Sequence, residues 1–286
     1  MLAHTLGNPF DLNAVRDFCQ ANDLWLIEDN CDALGAKVKL DGQWHYTGSV
    51  GDIGTSSFYP PHHMTMGEGG AVYTNNAQLN RIIISLRDWG RDCRCEPGQD
   101  NACQRCFDRK FGLLPQGYDH KYVYSHFGYN LKVTDLQAAI GCAQLEKLNR
   151  FIDARQRNWA VMHSALDDLN DFFKLPEPLP DSSPSWFGFA LTLKASSGIH
   201  RESLVRYLES KGIQTRMLFA GNLINHPCFD GMRRRKKGFR VASSLSVTEE
   251  VMNNTFWIGV YPGLNSDMID YMISQIREYV LKMGVR

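Results

Sequence analysis

The chain lacks net charge, long apolar runs and internal repeats. Its 286 residues contain 31 Lys and Arg against 31 Asp and Glu, so the formal net charge at pH 7 is zero. This balance gives no electrostatic reason to expect nucleic acid or an anionic membrane as a partner. No apolar run approaches the ~20 residues that cross a bilayer, and the first residues lack the basic and apolar regions of a signal peptide. We therefore expect a cytoplasmic protein that binds neither nucleic acid nor membranes.

The composition is that of a folded α/β protein. Hydrophobic residues make up 43% of the chain and charged residues 22%, a balance typical of globular domains. Helical and extended patterns alternate along the first half of the chain, which favours strands covered by helices. We predict helices at residues 11–21, 78–89, 134–151, 200–211 and 268–283, and strands at 24–27, 53–59, 71–74, 186–193 and 213–218.

Two features divide and orient these elements. A proline-rich segment at 175–185 interrupts the pattern, and we predict a larger domain over residues 1–155 and a smaller α+β domain over 156–286. The helix at 134–151 carries apolar residues at helical spacing, which predicts a buried stripe. Its members are Leu136, Ala139, Ile140, Ala143 and Leu148.

Three segments, taken together and in order, carry a specific family resemblance. They are LIEDNCDALGA at 26–36, SSFYPPHHMTMGEGGAV at 56–72 and GYNLKVTDLQAAIGCAQL at 128–145. They resemble the DegT/DnrJ/EryC1/StrS nucleotide-sugar aminotransferases, which are fold-type I enzymes that use pyridoxal phosphate (PLP). The resemblance implies a mixed, largely parallel sheet with helices on both faces and a smaller C-terminal domain. Residues 1–155 would then be the C-terminal portion of the large cofactor-binding domain.

One substitution within the resemblance decides the expected chemistry. The family pattern Ser-Phe-x-Pro-x-Lys supplies the lysine that forms a Schiff base with the cofactor, and His62 occupies that position. An imidazole cannot form a stable imine, so we expect the amine form of the cofactor, pyridoxamine phosphate (PMP), to be held without a covalent bond. Imidazole gains and loses a proton near neutral pH and suits a general base. Within the family this histidine marks the sugar 3-dehydrases, although a His that only packs near the turn is the alternative.

The resemblance also assigns cofactor-binding residues. Asp29, at the carboxyl end of a predicted strand, matches the carboxylate that pairs with the cofactor ring nitrogen, and Asp32 stands where relatives often carry Gln. Ser57 matches a phosphate-binding Ser, and Asn130 matches an Asn that reaches the phosphate across a homodimer interface. Hydroxyl and amide donors suit phosphate oxygens, but a turn or capping role is the alternative for both.

Cysteine spacing provides a second, independent indication. Cys93, Cys95, Cys103 and Cys106 follow one another closely, and this spacing alone favours a tetrahedral zinc site over an iron–sulfur cluster. The resemblance reverses that order. It implies a 2Fe-2S cluster held by Cys31, Cys93, Cys95 and Cys103, although the spacing leaves Cys106 open as the fourth ligand.

Together these matches imply a PMP-dependent, iron–sulfur-assisted C-3 dehydration of a CDP-linked 4-keto-6-deoxy-hexose, on the route to the 3,6-dideoxy sugars of O-antigen. The expected partners are an NADH-dependent flavin/iron–sulfur reductase and a second copy of the chain. Two alternatives stay open: a cluster-free, glutamate-recycling GDP-4-keto-6-deoxymannose 3-dehydratase, and an inactive binding remnant. Since only 28 residues precede Asp29, where the family supplies several strands, we expect the N-terminal part of the fold to be missing.

Overall fold

The computed structural model describes residues 1–95, 98–99, 101–104 and 106–283. The helices are α1 (Leu12–Ala21), α2 (Ala77–Arg87), α3 (Asp135–Leu145), α4 (Leu148–Leu166), α5 (Arg201–Ser210), α6 (Asp230–Arg235), α7 (Ser246–Asn254) and α8 (Ser266–Met283). The strands are β1 (Leu2–Ala3), β2 (Ile27–Asp29), β3 (Lys37–Leu40), β4 (Gln43–Tyr46), β5 (Ile53–Ser57), β6 (Gly70–Tyr73), β7 (Phe173–Lys174), β8 (Ser182–Ser183), β9 (Gly188–Leu193), β10 (Thr215–Met217) and β11 (Thr255–Gly259). In the described part of the chain, no helix is long and apolar enough to cross a membrane.

The first sheet has the strand order β1-β2-β5-β6. Strands β1, β2 and β5 run parallel and β6 is antiparallel to β5. Helix α1 begins where the side chain of Asp11 accepts a hydrogen bond from the amide of Ala14, as expected of a capping residue. It packs through the buried Leu12 onto Leu26 and Val38. The parallel register brings the carboxyl ends of β2 and β5 to one edge of the sheet.

The second sheet, of order β10-β11-β9-β7, is antiparallel throughout. Helices α4, α5 and α8 cover it, and their buried side chains form the largest apolar core of the described residues. Buried and partly buried residues alternate along most of β9, as expected for a strand with one face in the core. The third sheet, β4-β3-β8, joins the hairpin at 37–46 to the segment before β9.

One strand is displaced from its predicted position. The strand predicted at 24–27 lies at Ile27–Asp29, and Trp25 is 63% exposed. The apolar run alone does not locate the strand, because Trp25 lies before the hydrogen-bonded residues. The segment 40–48 contains strand β4, which completes a hairpin with β3.

The long helix predicted at 134–151 is two helices, and its stripe is not buried. Leu136 is 82% exposed and Ile140 is 47% exposed. The face that packs carries other residues: Gln137 donates a hydrogen bond to the carbonyl of Glu68 (2.9 Å), and a Cβ on Gly141 would lie 2.9 Å from the Met66 side chain. These two contacts lie one helical turn apart and pack α3 against the turn at 66–69. The predicted apolar stripe therefore faces away from this contact.

Candidate functional site

A cavity of about 1140 Å³ opens between the first sheet and the second. His62 and Asp32 contribute to its wall from the first sheet side, and Phe187 and Trp257 contribute from the second. Tyr59 and Phe219 also line it. Among the described residues that line the cavity there is no lysine.

His62 follows the end of β5 and is held at both ring nitrogens. Its Nδ1 lies 3.2 Å from the carbonyl oxygen of Ser57, and its Nε2 lies 3.3 Å from Oδ1 of Asp32. The Ser57 carbonyl oxygen and the Asp32 carboxylate oxygen both accept hydrogen bonds, so the protonated ring satisfies both contacts and the neutral ring satisfies one of them. With its proton on Nδ1 the neutral ring presents the Nε2 lone pair, and the protonated ring pairs through Nε2 with the carboxylate of Asp32.

Aromatic rings fix the orientation of this imidazole. Tyr59 packs edge-on against His62 with ring centroids 4.4 Å apart, and Phe187 lies at 5.4 Å. The His62 side chain is 10% exposed, so solvent reaches it only through the cavity. The arrangement can accept a proton at one defined position, Nε2.

Asp32 is itself held by the backbone. Its Oδ2 accepts a hydrogen bond from the amide of Leu6 (3.1 Å) while Oδ1 faces His62. Its charge also supports the buried Arg155, whose guanidinium donates to the carbonyls of Trp186 (3.1 Å) and Val260 (2.5 Å). Burial lowers the pKa of Arg155 to about 10, against the opposing effect of Asp32. The sequence gives no sign of this arginine, which lies within an ordinary amphipathic helix.

Asp29 and Ser57 lie at the same edge of the first sheet, because β2 and β5 run parallel. Asp29 ends β2, and its Oδ1 accepts a hydrogen bond from the amide of Cys31 (3.1 Å). Ser57 ends β5, and its hydroxyl accepts from the amide of Tyr59 (3.4 Å). This edge thus offers a carboxylate for a protonated ring nitrogen and a hydroxyl for a phosphate, beside His62. Neither Asp29 nor Ser57 is among the residues that line the cavity, but the chemistry of this donor set fits PMP.

Asn130 lies apart from the cavity. It is exposed, pairs through its backbone with Asp88, and its side-chain oxygen accepts from Nζ of Lys132 (3.2 Å). The structure therefore does not bring Asn130 together with His62 in one chain.

The loop cysteines lie together, and Cys31 lies elsewhere. Cys95 accepts hydrogen bonds from the amide and thiol of Cys103, which lower its pKa, and it also contacts the Cys93 thiol. The Cys103 sulfur lies 3.7 Å from Nε2 of His120. Cys31 contacts Asp29 instead, and burial together with that carboxylate raises its pKa to about 12. Within the described ranges no group of three or more His, Cys, Asp or Glu side chains is arranged to hold a metal ion, so the four predicted ligands do not form one site here.

The sequence matches the DegT/DnrJ/EryC1/StrS aminotransferase family over residues 1–277. The chain is 52% identical over 279 residues to the lipopolysaccharide biosynthesis protein RfbH of Salmonella typhimurium, covering 98% of this chain and 62% of that protein. It is 51% identical over 282 residues to the dTDP-4-dehydro-2,6-dideoxy-D-glucose 3-dehydratase of Saccharopolyspora spinosa, covering 99% of this chain and 59% of the relative. The chain thus spans about three fifths of the length of these relatives.

A solved structure supports the same assignment. The E. coli GDP-4-keto-6-deoxy-D-mannose-3-dehydratase with bound hydrated PLP superimposes with a TM-score of 0.78 at 25% identity, covering 96% of this chain and 66% of that one. The α/β fold of PLP-dependent aminotransferases, predicted from the sequence, is confirmed. The chain belongs to the DegT/DnrJ/EryC1/StrS aminotransferase family.

Proposed function

We propose that the protein is a PMP-dependent 3-dehydrase that removes the C-3 hydroxyl of a nucleotide-linked 4-keto-6-deoxy-hexose. The observation that carries this proposal is His62 at the wall of the large cavity, with Nε2 facing Asp32 and no lysine among the described lining residues. A lysine there would favour transamination through a covalently held cofactor. An imidazole leaves the cofactor free and provides a base.

The residues at the carboxyl-end edge of the first sheet would bind different parts of the cofactor. When bound, PMP would supply an amine that reacts with the sugar ketone and a ring that accepts electrons. Asp29 would pair with the protonated ring nitrogen, and Ser57 would donate a hydrogen bond to the phosphate. Asn130 would contact the phosphate of the cofactor bound in the neighbouring protomer, because Asn130 lies outside the cavity of its own chain.

His62 would take up the proton whose removal precedes loss of the hydroxyl. Its protonated Nδ1 stays on the Ser57 carbonyl, so the incoming proton goes to Nε2. Asp32, at 3.3 Å, then stabilises the imidazolium and keeps the ring oriented. Tyr59 and Phe187 restrict water around the ring, which strengthens the interaction with Asp32.

The relatives support a nucleotide-sugar substrate. One is a lipopolysaccharide biosynthesis protein and another a dTDP-sugar 3-dehydratase. From the sequence resemblance we assign a CDP-linked substrate and a role in forming the dideoxy sugars of O-antigen. The product of dehydration needs two electrons to become a 3-deoxy sugar, and an NADH-dependent flavin/iron–sulfur reductase would provide them.

The 2Fe-2S cluster belongs to the same proposal. Its support is the mutual contact of Cys93, Cys95 and Cys103. Cys31 is not among them, so we derive no electron path through the cluster. Cys31 instead contacts Asp29 and Thr55, which favours the second candidate, a cluster-free dehydratase that recycles its amine with glutamate.

The first prediction tests the role of His62. The wild-type chain should form no borohydride-reducible imine with PLP at residue 62, whereas His62→Lys should form one, because it restores an amine at that position. His62→Asn should lower the dehydration rate by about 100-fold or more, the typical contribution of a general base. The measurements are mass spectrometry after reduction and loss of water from a CDP-4-keto-6-deoxy-hexose. A reduced wild-type adduct at another lysine in turning-over enzyme would refute the assignment.

The second prediction separates the two candidates. Anaerobically purified protein should contain about two irons and two sulfides per chain if it holds a 2Fe-2S cluster. Changing Cys31, Cys93, Cys95 or Cys103 to Ser should then remove the iron, and Cys142→Ser, an exposed control, should not. Loss of iron in Cys106→Ser would show that Cys106 is a ligand, and retention of iron would show that it is not. Iron-free protein that catalyses glutamate-dependent turnover would establish the cluster-free candidate.

A further inference from the structure

A second, smaller cavity of about 90 Å³ lies at the carboxyl end of α2 and shares no lining residue with the large one. Three arginines, Arg81, Arg91 and Arg94, line it together with Ser85 and His126. Its volume suits a few water molecules or one tetrahedral oxyanion. The proposed function uses none of these residues.

The backbone around this cavity is tightly held. Arg81 and Ser85 lie one turn apart on the same face of α2. The chain then turns at Gly90, whose carbonyl accepts hydrogen bonds from the amides of Ser125 (2.8 Å) and His126 (3.1 Å). Gly90 has φ +79°, and a Cβ there would lie 1.9 Å from the His126 carbonyl oxygen, so only glycine fits. The cavity is therefore formed before any ligand binds.

Positive charge dominates the cavity wall. Against the three guanidinium groups stands one carboxylate, Asp92, which accepts a hydrogen bond from the Ser125 hydroxyl (3.1 Å). Within the described part of the chain, none of the three arginines forms an ion pair with a carboxylate. Arg81 and Arg94 are exposed at the rim, and Arg91 is half-buried. Among the described residues, three positive charges thus face one carboxylate at this cavity.

Arg91 shows most directly that an acceptor is needed. Its Nε is buried and has no hydrogen-bond partner among the described residues. Its guanidinium carbon lies 4.5 Å from the centre of the Trp89 ring and 6.0 Å from that of Tyr122. The faces of these rings stabilise the cation but leave Nε without a hydrogen-bond partner. A buried donor left without an acceptor is destabilising, and the other guanidinium nitrogens of Arg91 are the donors left for a ligand in the cavity that this residue lines.

Ser85 and His126 line the cavity and stabilise the backbone at Arg91. The Ser85 hydroxyl donates to the carbonyl of Arg91 (2.8 Å) and lies 3.0 Å from Nδ1 of His126. The hydroxyl therefore fixes the backbone from which the Arg91 side chain extends. This bond keeps Arg91 in place whether or not a ligand is bound.

We infer that this cavity, lined by Arg81, Arg91, Arg94 and Ser85, binds a phosphate group. A phosphate offers several acceptor oxygens in different directions, which matches guanidinium groups that reach it from a helix and from a loop. The group comes either from inorganic phosphate or from a nucleotide. Both share the same oxyanion chemistry.

The test is isothermal titration calorimetry of the full chain with inorganic phosphate in a chloride buffer of low ionic strength. Wild-type protein should bind phosphate at millimolar or lower concentration. Arg81→Gln and Arg94→Gln, both at exposed positions that tolerate substitution, should each weaken binding about tenfold, the loss expected for one charge-assisted hydrogen bond. The matched control is Arg206→Gln on α5, an exposed arginine paired with Glu202, which should leave phosphate binding unchanged.

Parallel titrations with CDP and with cytidine distinguish the sources. If the site takes a nucleotide phosphate, Arg81→Gln weakens CDP binding as well and leaves cytidine unaffected. If it takes free phosphate, only the phosphate titration changes. Absence of phosphate binding in the wild type, or equal losses in Arg81→Gln and Arg206→Gln, overturns the inference. The measurement involves no turnover, so its outcome is independent of the proposed dehydrase activity.

Discussion

Two adjacent histidines in this protein have opposite environments. His62 reaches the large cavity and contacts Asp32, whereas His63 is buried and its Nε2 lies 2.8 Å from the carbonyl oxygen of Ser185. Burial, with a further contribution from Arg155, holds the pKa of His63 well below its usual range. His63 is therefore a neutral anchor between the two layers. The family motif distinguishes the two histidines in the sequence, but it contains no sign of Arg155 or of the Ser185 contact, since both partners are distant in the chain.

A third prediction concerns Glu28, a buried carboxylate with four hydrogen bonds. Its oxygens accept from Nε2 of His4 (2.9 Å) and from the amides of Gly48, Val50 and Gly51. Burial raises the pKa of Glu28, but the hydrogen bonds from His4, Gly51 and Gly48 outweigh it and hold the pKa below the ordinary 4.5. The ionised form is thus favoured by folding, so this stabilisation is complete above pH 4.5 and is lost as the pH falls through the folded-state pKa.

Glu28→Gln should lower the free energy of unfolding at pH 7 by about 3 kcal/mol or more, because an amide group would face N–H donors in a buried site. The difference in the free energy of unfolding between Glu28→Gln and the wild type should become smaller as the pH falls below 4.5. Urea unfolding at several pH values measures both effects. Glu202→Gln, an exposed control, should stay within about 0.5 kcal/mol. A pH-independent difference for Glu28→Gln would contradict the linkage.

At the scale of elements, the sequence pattern predicts most of the described helices but only five of the eleven described strands, and it misassigns the packed face of one helix. The predicted helices at 11–21, 200–211 and 268–283 match α1, α5 and α8 closely. Helix α3 was misread because its apolar residues point outward, and its packing depends on Gln137 and Gly141, a polar residue and a glycine. A hydrophobic pattern cannot indicate such a contact. Strand β11 was missed because its residues follow α7 directly, with no turn residue to separate the two elements.

The fourth prediction compares two glycines with similar backbone angles. Gly7 (φ +85°) and Gly42 (φ +81°) both lie in the left-handed region, but a Cβ on Gly7 would lie 2.0 Å from the carbonyl oxygen of Ser185, and one on Gly42 would have nothing within 4 Å. Gly42→Ala should be destabilising by about 1–2 kcal/mol through backbone strain alone. Gly7→Ala should lower the free energy of unfolding by a further ~1–3 kcal/mol, since the added Cβ forces the Gly7 turn away from the backbone of Ser185. Urea unfolding checks the difference, and equal losses would show that the Gly7 turn adjusts freely.

At the scale of the whole molecule, the cavity exists because two sheets with different strand orders meet. The parallel strands deliver Asp29 and Ser57 to one edge, and the antiparallel sheet closes the opposite wall through residues that follow β11 and precede β9. The domain division at 155 and 156 stays a prediction. Asn130, by contrast, lies on an exposed surface with Tyr129 and Leu131, 68% and 64% exposed. This exposed position agrees with the proposal that Asn130 contacts the cofactor of a second copy of the chain.

The fifth prediction is that the active form is a homodimer with shared sites. If Asn130 completes the cavity of its neighbour, His62→Asn and Asn130→Ala chains, each inactive alone, should regain about a quarter of wild-type activity when mixed and allowed to exchange, because half of the dimers would then carry one intact site. The control mixes His62→Asn with Asp29→Asn. Both residues lie on one chain's sheet edge, so no intact site can form and no activity should return. Sedimentation of the wild type should show a dimer, and a fully active monomer, or equal recovery in both mixtures, would exclude the shared site.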